Sequence, residues 1–279
     1  MAHETTQHYS QEVELFQRFL DPYMKYSSGL FLDRDEDLDT GILRMLDQQI
    51  ALACLSEGAR VLEIGNGWGS LLKRLQEKAP GLSYLGVNPS AVQQDYIARA
   101  VSDRVDLRVA PFEDVMDAIE GPFDAVFMIG SLCHIKDKAR VLARVGALLA
   151  PGGRLVIEDT FFLSEALYQK HYARPETKFV QNEVFGYAHV FSLAHHFDLV
   201  REAGMRVMTT LETSEDYART IDLWVERIAE LDPARFPLAP QFIKYMDVFQ
   251  RGWGYTICNH LMALERLPER WPPRARPGA

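Results

Sequence analysis

The sequence predicts an α/β fold built on a Rossmann-like, mostly parallel sheet, and three observations support that reading. First, Val61-Leu-Glu-Ile-Gly-Asn-Gly-Trp-Gly-Ser70 sets a short apolar run, an acidic residue and a three-glycine turn before Leu71, Leu72 and Leu75. That is the order of strand, tight loop and amphipathic helix. Second, strand-like and helix-like segments alternate from there to Glu158, as a parallel sheet requires. Third, 47% of the 279 residues are apolar, enough for a large core and incompatible with global disorder.

Taken in order, residues 1–9 are polar and expected to be loose. Val13, Phe16, Phe19, Leu20 and Tyr23 recur at helical spacing, with Pro22 as a stop. Tyr26-Ser-Ser-Gly-Leu-Phe31 reads as a small-residue loop between aromatics, suited to backing onto a ligand. The acidic run Asp33 to Asp39 has the charge of a calcium loop. It carries Leu38 at the glycine position and Arg44 at the closing glutamate, so it reads as a solvated face with a helix cap at Asp39 or Thr40. Leu43, Leu46, Ile50 and Cys54 mark a second amphipathic helix.

Beyond the glycine turn, strands are expected at 82–87, 105–109, 123–130 and 154–158, with helices at 91–100 and 138–149. Residues 161–192 lose sheet periodicity and are rich in aromatics and histidine, as a cap over a crevice would be. A helix at 193–203, a strand at 205–211 and a helix at 217–228 follow, while 242–258 fits helix or strand. The Pro/Arg-rich stretch 268–279 is expected to be disordered. The expected organisation is an N-terminal helical segment over the ligand (1–55), a Rossmann-like domain (56–265) with a cap at about 161–200, and a tail (266–279).

A net charge of −9 argues against nucleic acid or an anionic membrane surface as principal partner, and leaves room for a lipid drawn into an internal cavity. Cys54, Cys133 and Cys258 are odd in number and lack ligand spacing, which suits a reducing cytoplasm without structural zinc. No stretch approaches 18 apolar residues, so neither a signal peptide nor stable membrane insertion is expected.

Parallel sheets bind ligands beyond the carboxyl ends of their strands. There the sequence places Glu63, Asn88, Phe112-Glu113, Ser131 to His134 and Glu158-Asp159. Gly65, Gly67 and Gly69 permit positive φ and close approach of a ligand. NAD, FAD and S-adenosylmethionine all use such turns. The acid-x-Gly-x-Gly-x-Gly order favours the last, with Glu63 placed to bind an ammonium group directly or through water. His195-His196 lack companion ligands, so no metal is expected.

Several blocks together are more specific: His8-Tyr9, Phe19-Leu-Asp-Pro-Tyr-Met-Lys-Tyr-Ser-Ser-Gly-Leu-Phe31, the glycine turn, Gly86-Val-Asn-Pro-Ser-Ala-Val-Gln93 and Asp216-Tyr-Ala-Arg-Thr-Ile-Asp-Leu-Trp224. On these the sequence resembles the cyclopropane-fatty-acid synthase-like (mycolic acid cyclopropane synthase-like) branch of class I S-adenosylmethionine-dependent methyltransferases, from about His8 to Leu264. The resemblance implies a seven-stranded Rossmann-like sheet, S-adenosylmethionine as cofactor and S-adenosylhomocysteine as product. It implies that Tyr26 and Ser27 hold the methionine end, and that Gly65 and Gly67 lie beneath the sulfur and ribose. Asn88 and Gln93 would contact the ribose, Phe112 would stack on adenine, and Glu113 would meet its amino group. The family's bicarbonate site is altered here. Ser28 replaces a cysteine, Cys133 a glutamate and Glu158 a histidine, and only Tyr217 matches. An ionised Glu158 would repel bicarbonate, which argues against cyclopropanation by that route.

For chemistry, Glu158 is expected to act as a base or to bind a cationic acceptor, the plain alternative being a cap or salt-bridge carboxylate. His134 is expected to orient substrate or take a proton, and Tyr217 to hydrogen-bond the acceptor, unless each is simply packed. Tyr172, Phe185 and Tyr187, with Phe161, Phe162, Tyr168 and Phe191, suggest an aromatic acceptor pocket. The expected function is methyl transfer to nitrogen or carbon of a small hydrophobic molecule in specialised metabolism. The alternatives are a lipid-modifying synthase acting on unsaturated acyl chains, or a cofactor-binding cyclase or non-catalytic binder. The N-terminal helix could close its own site or a neighbour's, so a homo-oligomer is among the expected partners.

Overall fold

The computed structural model describes residues 13–102 and 104–267. The expectations for residues 1–9, the His8-Tyr9 block and the tail from 268 lie outside the described residues. Helix α1 (Val13–Phe19) buries Leu15, Phe16 and Phe19. Helix α2 (Leu38–Ala53) starts at Asp37, whose side chain accepts from the Thr40 backbone N–H at 2.8 Å. The cap is therefore two or three residues before the expected Asp39 or Thr40, because Leu38 already turns inward and is buried.

The sheet comprises β1 (Arg60–Ile64), β2 (Ser83–Asn88), β3 (Asp106–Val109), β4 (Phe123–Ile129), β5 (Leu149–Phe162), β6 (Met205–Glu212) and β7 (Ile257–Arg266). Its order is β3-β2-β1-β4-β5-β7-β6. Only β7 runs antiparallel to its neighbours β5 and β6, and this is the Rossmann-like arrangement expected. Helices α3 (Ser70–Lys78), α4 (Ala91–Ala100), α5 (Phe112–Val115) and α6 (Lys138–Leu148) join the first five strands. Beyond β5 come α7 (Glu165–His171), α8 (Pro175–Lys178), a wide helical turn over Phe179–Val184, α9 (Leu193–Glu202), α10 (Ser214–Ala229) and α11 (Ala239–Gln250). The ambiguous segment 242–258 thus divides into the end of α11 and the entry to β7. Residues 261–264 of β7 are buried, and a strand covered on both faces shows no alternation to read.

Alternate strand residues feed two cores. Val61, Phe127, Val156 and Leu261 face α1, α2, α10 and α11, whereas Leu62, Val126, Ile157 and Met262 face α6 and α9. The same alternation sends neighbouring acids at the end of β5 to opposite faces, Glu158 towards α2 and Asp159 towards the loop after β4. No helix among the described residues is long and apolar enough to cross a membrane.

Candidate active site

A cleft runs along the carboxyl ends of β1, β2 and β4. It brings together all nine residues expected to hold the cofactor: Tyr26, Ser27, Glu63, Gly65, Gly67, Asn88, Gln93, Phe112 and Glu113. The glycines do different work. Gly65 has φ +79°, and a Cβ there would lie 2.5 Å from the Ser131 Cβ. The crossing is close because the Ser131 hydroxyl donates to the Ile64 carbonyl at 2.6 Å. Gly67 has φ +48°, and a Cβ there would meet nothing within 4 Å, so the turn leaves a bare backbone floor on which a ligand can lie. Gly69 instead packs on Ile97.

Glu63 is 3% exposed and accepts a 2.5 Å hydrogen bond from the Tyr84 hydroxyl. Burial pushes its pKa up to about 7, against the lowering effects of Tyr84 and Lys25. Across the cleft, the Asn88 amide donates to Gln93 Oε1 at 2.9 Å and its Oδ1 accepts from Ser90 N–H at 3.1 Å. The two residues expected at the ribose therefore hold one another in place. Glu113 accepts from the backbone N–H groups of Asp137 (2.8 Å) and Lys136 (3.3 Å), which ties the Phe112 turn to the entry of α6.

A second chamber shares Tyr26, Ser27, Gly130 and His134 with the cleft. Glu158, Asp159, Tyr217, Phe185, Trp224 and Tyr245 are among its other walls. His134 Nδ1 lies 2.9 Å from the Tyr187 carbonyl, which accepts only, so Nδ1 carries the proton and Nε2 is the acceptor of the neutral ring. Tyr217 stacks against Trp253 at 5.0 Å. Of the aromatics expected at the acceptor, Phe185 lines this chamber, whereas Tyr172 and Tyr187 do not. The Tyr172 ring is taken up by Tyr168 at 4.9 Å and by Lys178 Nζ at 3.6 Å, and the Tyr187 ring lies under Lys136 Nζ at 5.2 Å. Thr160, Val180, Gln181, Val190 and Phe249 are walls shared by the chamber and a third, adjoining cavity, which His171, Arg174 and Arg251 help to line.

Glu158 is 1% exposed and saturated with donors. It accepts from Lys25 Nζ at 3.1 Å, Gln49 Nε2 at 2.5 Å and the Ser28 N–H at 2.9 Å. Lys25 spends its other protons on the Ser27 hydroxyl oxygen and the Ser28 carbonyl. Burial lowers the Lys25 pKa, and Glu158 opposes that shift. Its two oxygens are thus already engaged by three donors, one of them a buried ammonium. The expectation that Glu158 is the base gives way to its salt-bridge alternative.

Its neighbour Asp159 is 4% exposed and has no ion pair among the described residues. It accepts from the Cys133 N–H at 3.1 Å and the Thr160 N–H at 2.8 Å. Burial nonetheless pushes its pKa up to about 6. No group of histidine, cysteine and acidic residues suited to a metal occurs among the described residues. His196, fully buried against Phe161 at 4.8 Å, has a pKa lowered to about 3 by burial and serves as a neutral core residue.

Sequence reasoning missed Lys25 and Gln49 as partners of Glu158. Gln49 did carry a signal, because it falls on the buried stripe Ile42, Met45, Leu46, Ala53 of α2, where a polar side chain demands a partner.

The family model for mycolic acid cyclopropane synthetase matches residues 1–250. Tuberculostearic acid methyltransferase UfaA1 of Mycobacterium tuberculosis is 26% identical over 265 residues, covering 88% of this chain and 58% of its own length. A probable fatty acid methyltransferase of Pseudomonas putida is 24% identical over 264 residues, covering 92% of this chain and 66% of its own. The chain thus spans about three-fifths to two-thirds of the length of these relatives. The crystal structure of mycolic acid cyclopropane synthase CmaA1 complexed with SAH and CTAB superposes with a TM-score of 0.78 at 21% identity, over 94% of this chain and 97% of that one.

Proposed function

The chain belongs to the mycolic acid cyclopropane synthetase family, and from that premise we propose that it is an S-adenosylmethionine-dependent methyltransferase acting on an elongated, unsaturated acyl chain. The observation that supports the substrate class is the row of three adjoining cavities that share walls: the glycine-floored cleft, the aromatic chamber and the cavity bordered by Arg174 and Arg251. A compact acceptor has no need of the outer cavity. The relatives named above are described for fatty acids, so the acyl alternative replaces specialised-metabolite methylation as the leading reading.

The bare floor at Gly67 and the buried carboxylate of Glu63 suit the cofactor. Tyr26, Ser27 and Glu63 would hold its methionine end, and Asn88, Gln93, Phe112 and Glu113 its adenosine end. When bound, it supplies an electrophilic sulfonium methyl group. The protein must then align the acceptor and exclude water, and Tyr26, Ser27 and Gly130 form the wall common to both compartments. Met24, Tyr26, Ser27 and, from α2, Gln49 border one side of the cleft.

A methylated alkene carbon leaves a cationic neighbour that must shed a proton. Asp159 is the chamber carboxylate fitted to take it, with His134 and Tyr217 orienting the chain. Ring closure is disfavoured, because the Glu158 carboxylate already occupies the donors of Lys25, Gln49 and Ser28 that an external anion would need. Incubation with methyl-labelled cofactor and phospholipids bearing monounsaturated chains tests the reading. Label is expected in the fatty acids released by saponification. Label confined to small polar amines would contradict it, and binding without transfer would favour the non-catalytic alternative.

A further inference from the structure

Gln49 sits on α2 with no exposed surface and borders the cofactor cleft rather than the acceptor chamber. Its amide cannot be turned round. The NH2 group donates to Glu158 at 2.5 Å, and a flipped amide would set its oxygen against a carboxylate. Oε1 is therefore held away from Glu158, and it has no hydrogen-bond partner among the described residues. Lys25, the nearest buried cation in the network, cannot serve it, since its three protons go to Ser27, Ser28 and Glu158. A buried acceptor of this kind is costly unless a ligand supplies a donor.

The network also fixes which end of the cleft this acceptor faces. Gln49 is tied through Glu158 and Lys25 to the Ser27 hydroxyl, and Lys25 acts electrostatically on Glu63. Asn88, Gln93 and Phe112 belong to the opposite end. Resting on the methyltransferase reading above, we propose that Gln49 Oε1 accepts a hydrogen bond from the α-ammonium of the cofactor's methionine moiety. Gln49 thereby acts as a specificity residue for an aminoacyl-bearing cofactor. The wall between the two compartments then has a function on each side. Its carboxylate anchors the Tyr26-Ser27-Ser28 loop, and its amide oxygen reads the amine.

Calorimetric titration with S-adenosylhomocysteine and with its deamino analogue tests this without reference to turnover. The wild type is expected to prefer the amine-bearing ligand by about tenfold or more, the usual size of a hydrogen bond to a charged group. Gln49→Met, which keeps the volume and removes the acceptor, should lose that preference while binding the deamino ligand nearly as the wild type does. Equal weakening of both ligands in Gln49→Met, or unchanged discrimination, would overturn the assignment. Absence of heat with either ligand in the wild type would overturn the cofactor reading itself.

Discussion

The two ends of the cofactor cleft are built differently. At the end proposed for the adenosine, the groups that define the wall are near neighbours in sequence: Asn88 bonds Gln93, and Glu113 follows Phe112 directly. At the end proposed for the methionine moiety, the wall is a charged knot drawn from three distant segments, with Lys25, Gln49 and Glu158 on a loop, a helix and a strand. The first rests mostly on short-range bonds, apart from the tie of Glu113 to Lys136 and Asp137. The second exists only once α2 lies across β5. Local construction makes a wall tolerant of change, whereas a buried ion pair makes it all-or-none, because removing one partner leaves the other charge uncompensated.

Lys25→Met should break that contrast most severely. It is expected to cost about 3–5 kcal/mol in urea unfolding, whereas Asn88→Ala should cost only about 1 kcal/mol. The double variant Lys25→Met/Glu158→Gln should recover much of the loss, since no unpaired charge remains. If Lys25→Met were as stable as Asn88→Ala, the ion pair would be incidental.

Next in size is the acceptor-side acid. Asp159→Asn should lower turnover by about 10²- to 10⁴-fold and leave S-adenosylhomocysteine affinity unchanged. In the wild type, the base must be ionised to act, so kcat/KM should rise with pH through about 6 and level off above it. Glu158→Gln should not remove that limb. A profile that flattens in Glu158→Gln and persists in Asp159→Asn would return the base role to Glu158.

A smaller effect separates the ends in the unliganded protein. Glu63 has a folded pKa raised to about 7 from an unfolded value of about 4.3. The folded state therefore binds the extra proton, and this stabilising contribution is complete below the unfolded value and lost as pH rises through about 7. The difference in melting temperature between Glu63→Gln and the wild type should shift in favour of the variant across that window. A pH-independent difference would show that Glu63 titrates normally.

The same contrast explains what the sequence disclosed. The first six strands, the glycine turn and the gathering of Asn88, Gln93, Phe112 and Glu113 at one cleft were legible, because each sits in a short segment at the carboxyl end of a strand. β7 was hidden by its burial on both faces. Tyr172 and Tyr187 were assigned to the acceptor by aromatic density alone, yet cations and ring neighbours occupy them. The position of Glu158 could be read, but its role could not. Lys25 lies 133 residues away in the chain and nothing near either residue announces the other. Gln49, a polar residue on an apolar stripe, was the one available hint of the knot.

Under the proposed function, a long acceptor reaches the methyl group by way of the outer cavity. Chain-length dependence in a plugged variant tests that most directly. Val180 borders both the chamber and the outer cavity, so Val180→Trp should leave S-adenosylhomocysteine affinity and turnover of short alkenes near wild-type levels while sharply reducing turnover of long acyl chains. Equal turnover of long chains by the two proteins would contradict the proposed path.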